Sequence, residues 1–179
     1  GSELKHKTLG IHACGYVGKI VARMAMGFGM DVYAYDPYLE DSVFEEDGVI
    51  RVSSAEELYR SCQYVSIHIP ANEETRKSIN HELISRMPEG GVLVNTARKE
   101  VVDEDALARI LKERPDFRYV SDIAPDNAGI LKSEYPDNCF FTPKKMGAQT
   151  SEANINAGLA AAEQIVAFFE KGETTFQVN

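Results

Sequence analysis

Residues 8–18 read TLGIHACGYVG, an apolar β-rich run followed by a loop that contains two glycines. The run over 8–14 predicts a buried strand, and the apolar residues over 16–28 recur at the spacing of a helix. A loop of this kind between a strand and a helix can bring backbone N–H groups and a helix N-terminus to a phosphate group. Three of its positions follow the pattern GxGxxG, with alanine at the first: Ala13, Gly15 and Gly18.

Each position of this loop has a predicted task. Gly15 is expected to let the backbone approach a pyrophosphate, and Tyr16 and Val17 follow it in the first helical turn. Gly18 is expected to let the helix pack closely on the strand. Ala13 carries a Cβ, so the sequence predicts that the first turn keeps φ negative there. The loop therefore predicts a dinucleotide site.

An acidic residue ends the second predicted strand, residues 31–35. Asp36 lies about 20 residues beyond the loop, where a carboxylate can accept hydrogen bonds from both ribose hydroxyls of a dinucleotide and repel a 2′-phosphate. This favours NAD over NADP as the cofactor. Because Asp36 precedes Pro37, a turn role remains the alternative interpretation.

Strands and helices alternate along the rest of the chain. The pattern predicts an α/β fold of the Rossmann type, a doubly wound parallel sheet of six to seven strands with helices on both faces. Ligands of such sheets bind at the carboxyl ends of the strands. The further predicted strands are 49–52, 64–69, 91–96, 118–123 and 140–142. The further predicted helices are 53–60, 80–87, 103–112 and 151–170. A capping box of Ser53 and Glu56 opens the first of these helices.

Composition excludes several classes of protein. Of 179 residues, 19 are Lys or Arg and 28 are Asp or Glu, and the net charge of −9 disfavours nucleic-acid binding. No apolar run is long enough to span a membrane. The three cysteines lie far apart, so the sequence predicts neither a metal site nor disulfides and favours a reducing, cytoplasmic setting. Gly1 and Ser2 read as a cloning scar and do not bear on the fold.

Three further motifs resemble those of the D-2-hydroxyacid dehydrogenases. His68, Pro70 and Thr75 match H-x-P-x-T-x-x-T in part. Residues 95–107, NTARKEVVDEDAL, resemble N-x-x-R-G-x-x-V-D-x-x-A-L, with Lys99 in place of the glycine. Residues 142–150, TPKKMGAQT, resemble T-P-H-x-G-x-x-T. The resemblance extends over almost the whole chain and is strongest to the short D-3-phosphoglycerate dehydrogenases.

This resemblance implies hydride transfer between NAD and C2 of a small 2-hydroxy acid, with 3-phosphoglycerate as the expected substrate. Arg98 is expected to hold the substrate carboxylate in two parallel hydrogen bonds, unless it is a solvated surface arginine. Asp122 is expected to face the cofactor amide, unless it is a turn residue. The full set of expected cofactor contacts is Gly15, Tyr16, Val17, Gly18, Asp36, His68, Pro70, Thr75, Thr96, Ala97, Arg98, Asp122, Lys145 and Gly147.

The sequence departs from the family pattern at its catalytic pair. Lys145 stands where the family has its catalytic histidine, with Lys144 as an additional residue beside it. Asn127 stands at the position of the partner glutamate, and the adjacent Asp126 is an alternative for that role. Lysine in place of the pair is similar to a subgroup of phosphoglycerate dehydrogenases. Lys145 is then expected to move the hydroxyl proton, or else Lys144 and Lys145 only attract the anionic substrate.

The family also has a substrate-binding domain, which lies mostly before the nucleotide domain. Because the first strand here begins at Thr8, residues 1–179 are expected to be the NAD-binding domain alone and to be inactive in isolation. The small residues of helix 151–170 and the family's dimer contact predict a homodimer, unless this helix packs only on its own sheet. Two other functions stay open, namely a glycerate- or glyoxylate-type dehydrogenase and a non-catalytic NAD-binding module similar to corepressors.

Overall fold

The chain divides into two compact units, residues 1–144 and residues 145–179. A computed structural model describes residues 3–46, 48–144 and 146–177. The strands of the first unit are β1 Thr8–His12, β2 Asp31–Tyr35, β3 Ile50–Arg51, β4 Tyr64–Ile67, β5 Val92–Asn95, β6 Arg118–Ser121 and β7 Cys139–Phe141. Its helices are α1 Tyr16–Gly27, α2 Asp41–Glu46, α3 Ala55–Ser61, α4 His81–Ser85, α5 Glu104–Glu113 and α6 Ala128–Glu134, with a 3-10 turn at Lys99–Val101.

The seven strands form one sheet in the order β3-β2-β1-β4-β5-β6-β7, and every neighbouring pair is parallel. This confirms the predicted Rossmann-type sheet. The chain builds outward from β1 to β3 and then returns to the other side of β1 with β4. The carboxyl ends of β1 and β4 therefore flank the point where the strand order reverses, and ligands of open parallel sheets bind at such a point.

Alternate residues of β1 face opposite layers of helices. Leu9 and Ile11 belong to the same buried cluster as Ala22 of α1. Gly10 faces the other way, where an added Cβ would lie 3.0 Å from Cγ of Leu58 in α3. Both faces of the strand are covered, as expected for a parallel sheet.

The structure differs from the sequence prediction at three helices. Neither α2 nor α6 was predicted, because both are short and lack a repeating apolar face. The capping pair of α3 also lies one residue later than predicted. The N-cap is Ser54, whose hydroxyl accepts a hydrogen bond from the Glu57 amide at 3.2 Å, while the Glu57 carboxylate accepts from the Ser53 amide at 2.8 Å.

The second unit contains one long helix, α7, over Ser151–Lys171. The hydroxyl of Thr150 caps it by accepting from the Ala153 amide at 3.0 Å, and Gly172 ends it with φ of 66°, the left-handed conformation that glycine adopts at little cost. The predicted helix 151–170 is therefore confirmed. Among all described helices, including this one, none is long and apolar enough to cross a membrane.

Candidate functional site

A cleft of about 570 Å³ opens at the carboxyl ends of the central strands. Residues that follow β1, β2 and β4 line its walls, so the cleft lies where the strand order reverses. Its lining includes five of the expected cofactor contacts: Gly15, Asp36, His68, Pro70 and Thr75.

Gly15 is the N-cap of α1 and leaves space beside the loop. An added Cβ there would meet no atom within 4 Å, so the region that a side chain would fill is open. Neither a capping side chain nor an acidic residue occupies the first turn, where Tyr16 and Val17 lie exposed. The helix N-terminus, with its partial positive charge, is thus accessible to an anion. These features fit the pyrophosphate of a dinucleotide.

Gly18 and Ala13 are in close contact. A Cβ on Gly18 would lie 2.4 Å from the carbonyl oxygen of Ala13, a separation that real side chains do not adopt. Ala13 itself has φ of 76°. The prediction of a negative φ is therefore wrong, because the turn from β1 into α1 requires the left-handed region even though alanine occupies it.

The Asp36 carboxylate is buried and held by two backbone donors. Oδ2 accepts from the Cys14 amide at 3.0 Å, and Oδ1 accepts from the Tyr38 amide at 3.0 Å. Asp36 therefore joins the end of β2 to the loop after β1 and also closes a local turn. Each carboxylate oxygen has a second lone pair that a ribose hydroxyl can use.

Two histidines line the cleft as neutral rings. His12, which ends β1, hydrogen-bonds through Nδ1 with the Tyr59 hydroxyl at 3.3 Å, and His68 bonds through Nε2 with the Ser66 hydroxyl at 2.9 Å. Burial lowers the pKa of each ring to about 4. His12 was not predicted as a cleft residue. The available signal was its place as the last residue of the strand that precedes the loop.

A buried amide shapes the segment after β5. Asn95 is 1% exposed, and its Oδ1 accepts from the Ala97 amide at 3.0 Å. Its Nδ2 donates to the carbonyl oxygen of Arg98 at 2.9 Å and to the hydroxyl of Tyr119 at 3.2 Å. The residues predicted to contact the cofactor and substrate here, Thr96, Ala97 and Arg98, are thus carried by one anchored turn, and the side chain of Arg98 is exposed.

The carboxyl ends of β5, β6 and β7 are tied together at Asp122. Its amide donates to the carbonyl oxygen of Asn95 at 3.0 Å. The hydroxyl of Thr142 donates to the carbonyl oxygen of Asp122 at 2.6 Å and to its Oδ1 at 3.1 Å. Asp122 therefore lies at the same edge of the sheet as the Arg98 segment.

Lys99 and Asn127 both depart from the family pattern, and Lys99 contacts the residue that precedes Asn127. The ammonium of Lys99, at the usual glycine position, is paired with the carboxylate of Asp126, and this hydrogen bond raises the pKa of Lys99. Asn127 occupies the N-cap position of α6 without a capping hydrogen bond, and its Nδ2 donates to the carbonyl oxygen of Glu104 at 3.3 Å. The Asp126 carboxylate is engaged by Lys99 in this arrangement.

The remaining predicted site residues fall elsewhere. Lys145 lies outside the described residues, Lys144 is exposed near the end of the first unit, and Gly147 belongs to the second unit. Within residues 3–46, 48–144 and 146–177, no group of three or more His, Cys, Asp or Glu side chains is placed to hold a metal ion.

Tyr38 and Glu74 also line the cleft, although no motif indicated them. The Tyr38 hydroxyl donates to Oε2 of Glu74 at 3.2 Å. The signals in the sequence were positional only, because Tyr38 lies two residues after Asp36 and Glu74 precedes Thr75.

Comparisons with known proteins agree with this geometry. A protein-family model described as "D-isomer specific 2-hydroxyacid dehydrogenase, NAD binding domain" matches residues 1–143. D-3-phosphoglycerate dehydrogenase of Methanocaldococcus jannaschii is 37% identical over 169 residues, covering 92% of this chain and 32% of that protein. Hydroxypyruvate reductase of Thermotoga maritima is 34% identical over 169 residues, covering 92% of this chain and 54% of that protein.

A solved structure gives the same result. The crystal structure of NAD+-bound 3-phosphoglycerate dehydrogenase from Entamoeba histolytica matches with a TM-score of 0.89 and 48% identity. The match covers 100% of this chain and 57% of that chain. The chain thus spans only part of each relative, from 32% to 57% of its length.

Proposed function

The chain belongs to the D-isomer specific 2-hydroxyacid dehydrogenases, whose NAD-binding domain matches residues 1–143, and we propose that it serves in an enzyme that oxidises 3-phosphoglycerate. The observation that carries this proposal is the cleft where Asp36 is pinned beside the open Gly15 loop. The 48% identity to an NAD+-bound 3-phosphoglycerate dehydrogenase supports the substrate.

The residues of the cleft fit NAD in two places. The N-terminus of α1, with the open side of Gly15, would hold the pyrophosphate. Asp36 would accept from the adenosine ribose hydroxyls, and its negative charge disfavours a 2′-phosphate. The nicotinamide, when bound, supplies the acceptor for a hydride from C2 of the hydroxy acid.

Arg98 and Asp122 would act on the other half of the site. Arg98 is exposed at the carboxyl end of β5, where its guanidinium would hold the substrate carboxylate in two parallel hydrogen bonds. Asp122, held by Thr142, would accept from the carboxamide of the cofactor. Both assignments rest on the family motif and on the placement of these residues at one edge of the sheet.

Lys145 is proposed to take the hydroxyl proton, on the strength of its motif position. In the full-length enzyme, Lys145→Ala should then lower kcat by roughly 10²–10⁴ and shift the acidic limb of the pH profile, because a base must be deprotonated to accept the proton. If the two lysines only attract substrate, KM should rise while kcat changes little. Lys144→Ala is the matched control, and an effect on kcat as large as that of Lys145→Ala would overturn the assignment.

The similarity to hydroxypyruvate reductase makes D-glycerate a second candidate substrate. The hydroxypyruvate reductase covers 92% of this chain at 34% identity. A turnover screen of the full-length enzyme with 3-phosphoglycerate, D-glycerate and glycolate tests both candidates. The proposal predicts the highest kcat/KM for 3-phosphoglycerate, and a higher value for D-glycerate would favour the reductase.

The proposed function also leads to proposals about the domains, the location and the oligomeric state of the whole enzyme. We propose that residues 1–179 form one NAD-binding domain, that a substrate-binding domain completes the site in the full-length enzyme, and that the enzyme works in the cytoplasm as a homodimer. Small residues in α7 at Ala157, Gly158 and Ala161 would permit close helix contact. Sedimentation of the full-length enzyme at micromolar concentration should give the mass of a dimer, and a monomer would reject that part.

A further inference from the structure

Tyr38 connects two carboxylates in the cleft. Its amide donates to Oδ1 of Asp36 at 3.0 Å, and its hydroxyl donates to Oε2 of Glu74 at 3.2 Å. All three residues line the cleft. The carboxylate of Glu74 raises the pKa of Tyr38, so the hydroxyl stays protonated and remains a donor at neutral pH.

The backbone at Glu74 is fixed by its own loop. Oδ1 of Asn72 accepts from the amides of Glu74 and Thr75, at 3.0 and 2.9 Å. The Thr75 hydroxyl donates to the carbonyl oxygen of Pro70 at 2.6 Å. The loop therefore presents Glu74 to the cleft from the wall after β4, while Asp36 comes from the wall after β2.

Positive charge is scarce among the described residues of this cleft. Among the described residues that line the cleft, Arg86 is the one lysine or arginine, and its Nη2 donates to Oε1 of Glu82 at 2.7 Å. Glu56 adds a further carboxylate to the lining. Within the described lining, the one cationic side chain is therefore ion-paired with a carboxylate rather than free to receive a 2′-phosphate.

We propose that Glu74 is a second determinant of cofactor choice, which acts with Asp36 to exclude NADP. The inference rests on the proposed binding of NAD in this cleft. Asp36 faces the ribose, and Glu74 faces the same region from the opposite wall through Tyr38. A 2′-phosphate carries up to two negative charges, so each nearby carboxylate repels it, whereas the uncharged 2′-hydroxyl of NAD experiences no such repulsion.

The test compares the dissociation constants of NAD and NADP for the chain by calorimetric titration. Glu74→Gln removes the charge and keeps an acceptor for Tyr38. It should strengthen NADP binding roughly fivefold and leave NAD binding within about twofold. The gain should shrink in high salt, because the repulsion is partly screened.

Glu73→Gln is the matched control. Glu73 is adjacent, exposed and equally charged, but it does not line the cleft. An unchanged ratio of the two constants in Glu74→Gln, or an equal change in Glu73→Gln, would overturn the inference. Failure of the unmodified chain to bind NAD would instead reject the proposed function.

Discussion

Ala13 carries a conformation that glycine would adopt more easily. With φ of 76° its Cβ is crowded against the backbone, at a cost of roughly 1–2 kcal/mol for an L-residue. Ala13→Gly should therefore raise the free energy of unfolding by about 1 kcal/mol, because relief of strain exceeds the added entropy of the unfolded chain. Urea denaturation measures the change.

Ala71→Gly is the control for Ala13→Gly. Ala71 is exposed and is not among the residues with positive φ. Its replacement should leave stability unchanged or lower it slightly. If Ala13→Gly were less stable than the unmodified chain, the claim that Ala13 is strained at this turn would be contradicted.

The neutral histidines of the cleft make stability depend on pH. Both rings have a pKa of about 4 in the folded chain, against about 6.5 when unfolded. Between these values the unfolded state binds more protons, so the free energy of unfolding should fall as the pH is lowered from 6.5 to 4. The loss from His12 should be at most roughly 3 kcal/mol.

Urea denaturation at pH 7 and pH 5 measures this loss. His12→Asn should lose less stability between the two pH values than the unmodified chain, since its amide does not titrate. Equal losses in both proteins would show that His12 is not the group responsible.

A site residue could be predicted from the sequence where the ligand group that it contacts allows only a few residue types. Gly15 and Asp36 follow from what a pyrophosphate and a ribose require. Tyr38 and Glu74 could not be predicted, because their roles depend on a contact between two loops that are distant in the sequence.

At the scale of elements, the turn after β5 depends on a single buried side chain. Asn95→Ala removes three hydrogen bonds and leaves the Tyr119 hydroxyl without this partner. The free energy of unfolding should fall by about 2 kcal/mol, whereas Tyr119→Phe, which removes the bond to Nδ2 of Asn95, should cost about 1 kcal/mol. Urea denaturation measures both changes.

The turn also carries the proposed substrate contact, so Asn95→Ala in the full-length enzyme should raise KM as Arg98 loses its fixed position. A double-mutant cycle with Tyr119→Phe should show coupling, because the two side chains share a hydrogen bond. Strictly additive losses would contradict the shared bond.

Most elements could be predicted from local patterns, and the exceptions have physical causes. Asn80 and Asp103 cap α4 and α5 as predicted, because short polar side chains before an apolar repeat accept from the first amides. The predicted pair of Ser53 and Glu56 was shifted by one residue, since two adjacent serines and two adjacent glutamates permit either register.

For the whole molecule, the doubly wound parallel sheet was predictable because alternating strands and helices favour it, whereas the order of the strands was not predicted from the sequence. The position of the cleft follows from that order, since β1 and β4 become neighbours although α1, β2, α2, β3 and α3 separate them in the chain.

The central claim is that the Gly15 loop and the cleft beside it hold NAD. Calorimetric titration of the chain with NAD, in parallel with the Gly15→Ala variant, tests it most directly. The added methyl would fill the open space without touching the protein, so NAD binding should weaken at least roughly tenfold while the free energy of unfolding stays within about 1 kcal/mol. Gly18→Ala, by contrast, should destabilise the fold. Equal NAD affinity in the unmodified chain and in Gly15→Ala would contradict the account.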